Sequence, residues 1–256
     1  MLTIGIISDL HAGDKTEADE FTLDDKQMIG FLSQCIEQYD TVILNGDVFE
    51  CWHPKSWNEQ VQQFNRIARA RPELHEFIVT NVTSGKLIYI NGNHDAVVRV
   101  KKLIPNVVKE YVVELPTQTA GVTSRILIQH GHQGDMMNHG PISIIGMTIA
   151  WCVGWLERWG WKDADSDLSK LEKTIIPGGG SDNSLDDYAK FKINEGFDLV
   201  ILGHTHEATS ASYTRSDNNS VGHYWNTGKA MTAPFTFTEV IVDKNLNISV
   251  KQVDVR

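Results

Sequence analysis

An α/β fold, with a largely parallel N-terminal half and a β-rich, antiparallel C-terminal half, is what the 256-residue sequence predicts. Three observations carry that expectation. Short Ile/Leu/Val-rich runs at 2–8, 41–45 and 86–90 end in turn formers, as buried strands do. Between them, 26–38 and 57–79 space their apolar residues at helical intervals. The resulting β-α-β-α-β order implies right-handed parallel connections with strands covered on both faces. Beyond residue 197, five strand-like runs follow one another with only polar turns such as "RSDNNS" and "DKNLN" between them.

The elements justify themselves in chain order. Two more strands, at 109–114 and 125–130, follow without a helix between them. Residues 136–196 read as a helical cap inserted within one domain spanning 1–256, and they mix four textures. These are the uncharged "PISIIGMTIAWCVGWL", the Trp-rich "ERWGW", the hinge-like "PGGGS" and the helical "LDDYAKFKINEG". The last five strands are 197–202, 208–214, 221–226, 234–242 and 247–253.

Composition narrows the function. Hydrophobic residues make up 41% and charged residues 22%, ordinary for a globular chain long enough to bury roughly 70% of its unfolded surface. The net charge of −10, with no Lys/Arg run interleaved with aromatics, argues against extended nucleic acid as a partner. Cys35, Cys51 and Cys152 are far apart and form no CxxC pair, which fits free thiols in a reducing compartment. "MLTIGIISD" has no basic region and too short an apolar core for a signal peptide, so the expected location is cytoplasmic.

Chemistry gathers where the strands end. The first strand runs into "SDLH" with Asp9 and His11, and the second into "NGDVFE" with Asp47. The third runs into "INGNHD" with Asn93, His94 and Asp95. The 125–130 strand ends in "QHGHQGD" with His130 and His132, and the 197–202 strand in "GHTH" with His204 and His206. Ligands in open α/β sheets sit just outside the carboxyl ends of strands. Taken singly, each motif is an ordinary turn or a surface histidine, as His53, His75, His139 and His223 are expected to be. Five in order are not accidents. Imidazole, carboxylate and one amide suit two borderline divalent ions, manganese first with iron or zinc as alternatives. Such pairs share a bridging carboxylate, lower the pKa of water to supply a hydroxide nucleophile, and promote in-line displacement at phosphorus.

Asp9-x-His11, Gly46-Asp47, Gly92-Asn93-His94-Asp95, His130-Gly131 and Gly203-His204-Thr205-His206 together resemble the calcineurin-like metallophosphoesterases. The resemblance implies a four-layer α/β/β/α sandwich with the C-terminal strands as the second sheet. It implies Asp9, His11 and His206 on one metal, Asn93, His130 and His204 on the other, and Asp47 bridging. It makes His94 the acid beside the leaving group, with Asp95 orienting its ring.

"GDVFECW" and the Trp-rich insert also resemble the UDP-2,3-diacylglucosamine hydrolase branch. That branch has Arg where this chain has His94, an acid at His132 and Arg-Pro at Glu207-Ala208. The implied substrate is a small phosphoester or pyrophosphate, lipid-linked or a nucleotide sugar. The alternatives are a soluble nucleotide or cyclic nucleotide and, outside enzymology, an inactive scaffold that binds proteins. Sixteen uncharged residues from Pro141 to Leu156 fall short of the roughly 20 needed to span a bilayer. One reading makes them a core or homodimer-interface helix. The other makes 141–161 a lid or peripheral contact with the inner membrane surface, where Trp151 and Trp155, four apart on one helical face, meet an amphipathic substrate together with His132.

Overall fold

The computed structural model describes residues 1–16, 19–52, 59–116, 123–134 and 182–255. The sequence expectations on Trp151, Trp155, Cys152 and the 141–161 segment lie outside the described residues, as does the insert as far as residue 181.

The first strands and helices are β1 (Leu2–Ile7), α1 (Asp25–Gln38), β2 (Thr41–Asn45), α2 (Gln60–Ala70), α3 (Pro72–Thr83), β3 (Leu87–Ile90) and α4 (Ala96–Val100). Then come β4 (Glu110–Pro116), β5 (Thr123–Gln129), a 3₁₀ turn (His132–Gly134), α5 (Asp182–Asn194) and β6 (Leu199–Leu202). The chain closes with β7 (Ala208–Thr214), β8 (Val221–Thr227), β9 (Phe235–Val242) and β10 (Ile248–Val255). The expected helix at 57–79 is therefore two. Pro72 has no N–H to give to a preceding turn but suits the first position of a new helix, so α2 ends at Ala70, Arg71 caps both helices and α3 starts at Pro72.

Two five-stranded sheets form, ordered β10-β9-β1-β2-β3 and β4-β5-β6-β8-β7. In the first, β1, β2 and β3 run parallel, with Ile4 opposite Thr41 and Val42 opposite Leu87. The C-terminal strands do not make the second sheet by themselves. β9 lies antiparallel on the free side of β1 and carries β10 with it, whereas β8 pairs parallel with β6. A turn such as "DKNLN" joins β9 to β10 locally but does not say which sheet the hairpin joins. Packing goes with the pairing: Phe235 and Phe237 of β9 join the helix-side core and Val240 and Val242 the core between the sheets, on either side of the sheet that β1 belongs to.

Alternation along the strands builds the layers. Ile4 and Ile6 of β1, Ile126 and Ile128 of β5, and Leu199 and Ile201 of β6 meet between the sheets. Ile7 turns the other way, to Met28 and Leu32 of α1 and Ile67, Leu74 and Ile78 of α2 and α3. Leu127 and Val200 turn toward Leu185, Ala189 and Ile193 of α5. The result is the expected α/β/β/α sandwich. Cys35 and Cys51 are free and buried. Among the described residues, no helix is long and apolar enough to cross a membrane.

Candidate metal centre

The carboxyl ends of β1, β2, β3, β5 and β6 bring their following loops to one end of the sandwich. Main-chain bonds knit these loops: Asp9 N–H to Gly46 O at 3.1 Å, His11 N–H to Asp47 O at 2.8 Å, and Gly203 N–H to His130 O at 2.7 Å. Asn45 stitches the sheets together, its amide donating to Gln129 O at 2.9 Å while its own carbonyl accepts from His130 Nδ1 at 2.9 Å.

Each chain must turn at once on leaving its strand, and the backbone shows it. Asp9, His11, Asp47, His204 and His206 have φ of 56°, 48°, 50°, 77° and 63°, the left-handed region that costs about 1–3 kcal/mol per residue and collects at functional sites. Gly92 is required for a different reason. A Cβ there would overlap the Asp47 carboxylate, so only glycine lets the third loop close over the second.

The side chains fall into groups. Ligand atoms of Asp9, His11 and His206 lie within 4.8 Å of one another, and so do those of Asp47, His130 and His204. Asp47 reaches both groups, with Oδ2 3.0 Å from His130 Nε2 and 3.6 Å from His11 Nε2. His206 Nε2 lies 3.4 Å from Asp9 Oδ1 and 3.2 Å from His11 Nε2. Asn93 is 5% exposed.

Several of these atoms are buried without a hydrogen bond: Asp9 Oδ1, both side-chain atoms of Asn93, and His130 Nε2. Buried polar atoms normally find partners. Buried carboxylate and imidazole atoms gathered without enough partners are what divalent cations satisfy, and the two groups fit two such ions.

Electrostatics point the same way. Burial disfavours the charged forms here, yet the pairings overturn it. His130, facing Asp47 and Asp9, is pushed up to about 9, and Asp47 is held far below the usual carboxylate range by His130 and His94. Asp9 is held well down by His130, His11 and His206, against the same opposing burial. The centre draws in positive charge, supplied by protons or by metal.

The remaining expected site residues are placed as follows. His94 is half-buried, with its main-chain N–H on Asp47 Oδ1 at 2.9 Å. Asp95 does not orient its ring. Its carboxylate is occupied by Val48 N–H at 2.7 Å, Gly92 N–H at 2.6 Å and Tyr89 O–H at 2.6 Å, and burial together with Asp47 raises it to about 6. It braces the loops. The ring of His94 is held instead by Glu50, a residue without a role in the sequence reading although it stands in "GDVFECW". His132 lies in the 3₁₀ turn with its ring 5.6 Å from that of His130. His75 packs between Phe49 and Phe64, away from the centre, and His223 accepts or donates at Ser212 Oγ. His53 and His139 lie outside the described residues.

Residues 2–208 match the family model of the calcineurin-like phosphoesterases. No curated protein matches the sequence. Solved structures that resemble the chain include a predicted phosphoesterase from Streptococcus pneumoniae TIGR4, 12% identical over 99% of this chain and 98% of that one, with a TM-score of 0.39. They also include wild-type Vps29 complexed with zinc from Entamoeba histolytica, 13% identical over 99% of each chain, with a TM-score of 0.41.

Proposed function

The chain belongs to the calcineurin-like phosphoesterase family, and from that premise we propose that it hydrolyses a phosphoester or pyrophosphate bond at a dinuclear metal centre. One observation carries the reading: two three-residue ligand groups converge, Asp9 with His11 and His206 and Asp47 with His130 and His204, and Asp47 also lies 3.6 Å from His11 of the first. Asp9, His11 and His206 would hold one ion, Asn93, His130 and His204 the other, with Asp47 shared. When bound, two such ions neutralise charge on the phosphoryl oxygens and lower the pKa of a water. Manganese suits the donor set, with iron or zinc as alternatives.

The chain's own residues do the rest. His94 is surplus to the ligand set and 20% exposed at its side chain, so it can meet a substrate and give a proton to the departing oxygen. The buried loops around Asp9 and Asp47 keep bulk water from their carboxylates. The preferred substrate is a lipid-linked or nucleotide-sugar phosphoester, supported by "GDVFECW" and by the tryptophans of the 136–196 insert, which would cap the centre within one domain. In that role, 141–161 would touch a membrane surface or a second copy of the chain.

A manganese-supplemented hydrolysis screen tests this, comparing bis(p-nitrophenyl) phosphate, nucleotides, nucleotide sugars and UDP-diacylglucosamine. Turnover of UDP-diacylglucosamine above the others supports the lipid reading. Preference for a nucleotide moves the assignment to a soluble phosphodiesterase. No turnover on any of them, with metal bound, leaves a protein-binding scaffold.

A further inference from the structure

Between the ligand loop after β3 and the start of β4, the run "RVKKLIPNVVK" at 99–109 holds four cations and no acid, in a chain whose net charge is −10. The fold brings the two ends of this run together. Asn91, two residues before Asn93, gives its main-chain N–H to Val108 O at 3.0 Å and accepts Arg99 Nε on its side-chain oxygen at 2.6 Å. Arg99 and Val108 are thus neighbours on the flank of the metal centre, and with them 100–102 and Lys109.

Anchoring and display are divided along the segment. Val97, Val98, Leu103 and Ile104 pack into the helix-side core. Val100 and Val108 do not: they are 62% and 37% exposed, among the few large apolar side chains left in solvent in the described residues. Lys101, Lys102 and Lys109 are exposed around them. None of the four cations is ion-paired among the described residues, and the adjoining acid, Glu110, accepts the Gln129 amide at 2.7 Å. Lys102 has a φ of 53° at the end of α4, where its N–H returns to Arg99 O at 3.1 Å and that of Leu103 to Val98 O at 2.9 Å. Glycine usually fills that place, so a lysine there keeps a charge on the surface at a conformational cost.

We infer that this patch docks on an anionic phospholipid surface, with Arg99, Lys101, Lys102 and Lys109 on the headgroup phosphates and Val100 and Val108 seated at the boundary with the acyl chains. Charge selects the sign of the partner. Each Lys or Arg held near an anionic bilayer is worth about fivefold in affinity, or ~1 kcal/mol, and four are gathered here on an otherwise acidic chain. The valines select a bilayer over a soluble polyanion, because only a bilayer takes their side chains out of water. A patch of this size gives reversible, salt-sensitive binding rather than permanent anchoring. Docking there is separate from the contact proposed for 141–161 and independent of the reaction, though it would bring a lipid-linked substrate to the edge of the centre.

Co-sedimentation of the full chain with phosphatidylcholine vesicles, with and without about one-third phosphatidylglycerol, tests this. Binding should need the anionic lipid and disappear as salt rises from roughly 50 to 500 mM. Lys101→Gln, Lys102→Gln and Lys109→Gln together should weaken it about 100-fold, with the denaturation midpoint and hydrolysis of bis(p-nitrophenyl) phosphate unchanged. Val100→Ser with Val108→Ser should weaken it about fivefold. Equal binding to phosphatidylcholine alone overturns the inference. So does wild-type vesicle affinity in the lysine variant, which would assign the contact to the insert. A valine variant that binds as the wild type does would overturn the choice of a bilayer and leave a soluble polyanion as the partner. Failure of every phosphoester in the hydrolysis screen would remove the proposed reaction and leave the vesicle result standing.

Discussion

Two buried clusters of carboxylates lie beside the loop that follows β1, and they are neutralised in opposite ways. In one, Arg71, only 3% exposed, pairs with Asp25 through Nη1 and with Asp19 through Nη2 at 2.6 Å, while Nε donates to Gly13 O at 2.8 Å. Lys15 adds a second cation on Asp25 at 2.6 Å. In the other, Asp9 and Asp47 have no Arg or Lys ion partner among the described residues, only imidazoles. Burying a carboxylate is costly without a matched positive charge. The first cluster has its cation covalently attached and is finished when the chain folds. The second keeps orphaned lone pairs, and a cluster in that condition is built to receive a cation from outside.

The contrast can be broken at its centre. Asp47→Ala removes a carboxylate that lies 3.0 Å from His130 and 3.6 Å from His11, one in each ligand group, and should cut hydrolysis by more than the roughly 10²-fold that a supporting residue costs, together with metal content. Elemental analysis of the purified variant checks it; two ions per chain at wild-type activity would sink the assignment. His94→Gln should keep both ions yet slow turnover by roughly 10²–10⁴, with p-nitrophenol esters losing least. An equal loss for good and poor leaving groups argues against proton donation.

On the finished side, Arg71→Ala leaves Asp19 and Asp25 buried without their partner and should cost about 3–5 kcal/mol in stability, read as a lowered denaturation midpoint. Chelators should not mimic that loss. They should instead lower the wild-type midpoint by the binding contribution, about 2.7 kcal/mol at a metal concentration 100 times Kd. A midpoint indifferent to EDTA would erase the difference between the clusters. The smallest effect belongs to the insert: Trp151→Ala with Trp155→Ala should raise KM for an acylated substrate about tenfold, or roughly 1.4 kcal/mol, and spare a small soluble diester. Equal loss on both substrates would make these residues core.

How much of this could be read beforehand depended on how local the cause was. The gathering of Asp9, His11, Asp47, His130, His204 and His206 was legible because apolar runs end just before them and the fold class brings those strand ends together. Glu50 was not: no strand fixes the direction of a side chain at that place, and its partners lie 39 and 44 residues away. Asp95 misled because adjacency to His94 suggested a contact, whereas its donors are Gly92 three residues back, Tyr89 inside β3 and Val48 after β2. Pro72 was visible, but apolar spacing carries across it and disguises the break between α2 and α3. The place of the β9–β10 hairpin follows from burial against β1, which no turn sequence encodes.

That hairpin bears on how the protein is made. β1, synthesised before the other strands described, finds β2 soon, but its other neighbour is β9, and the carbonyl of Asp9 waits for the N–H of Ala230 at 3.1 Å. During vectorial synthesis the earliest ligand loop is therefore among the last to be secured. A nascent chain ending just past residue 208 would own every ligand and still expose one side of β1, an unpaired edge that any neighbouring strand can occupy.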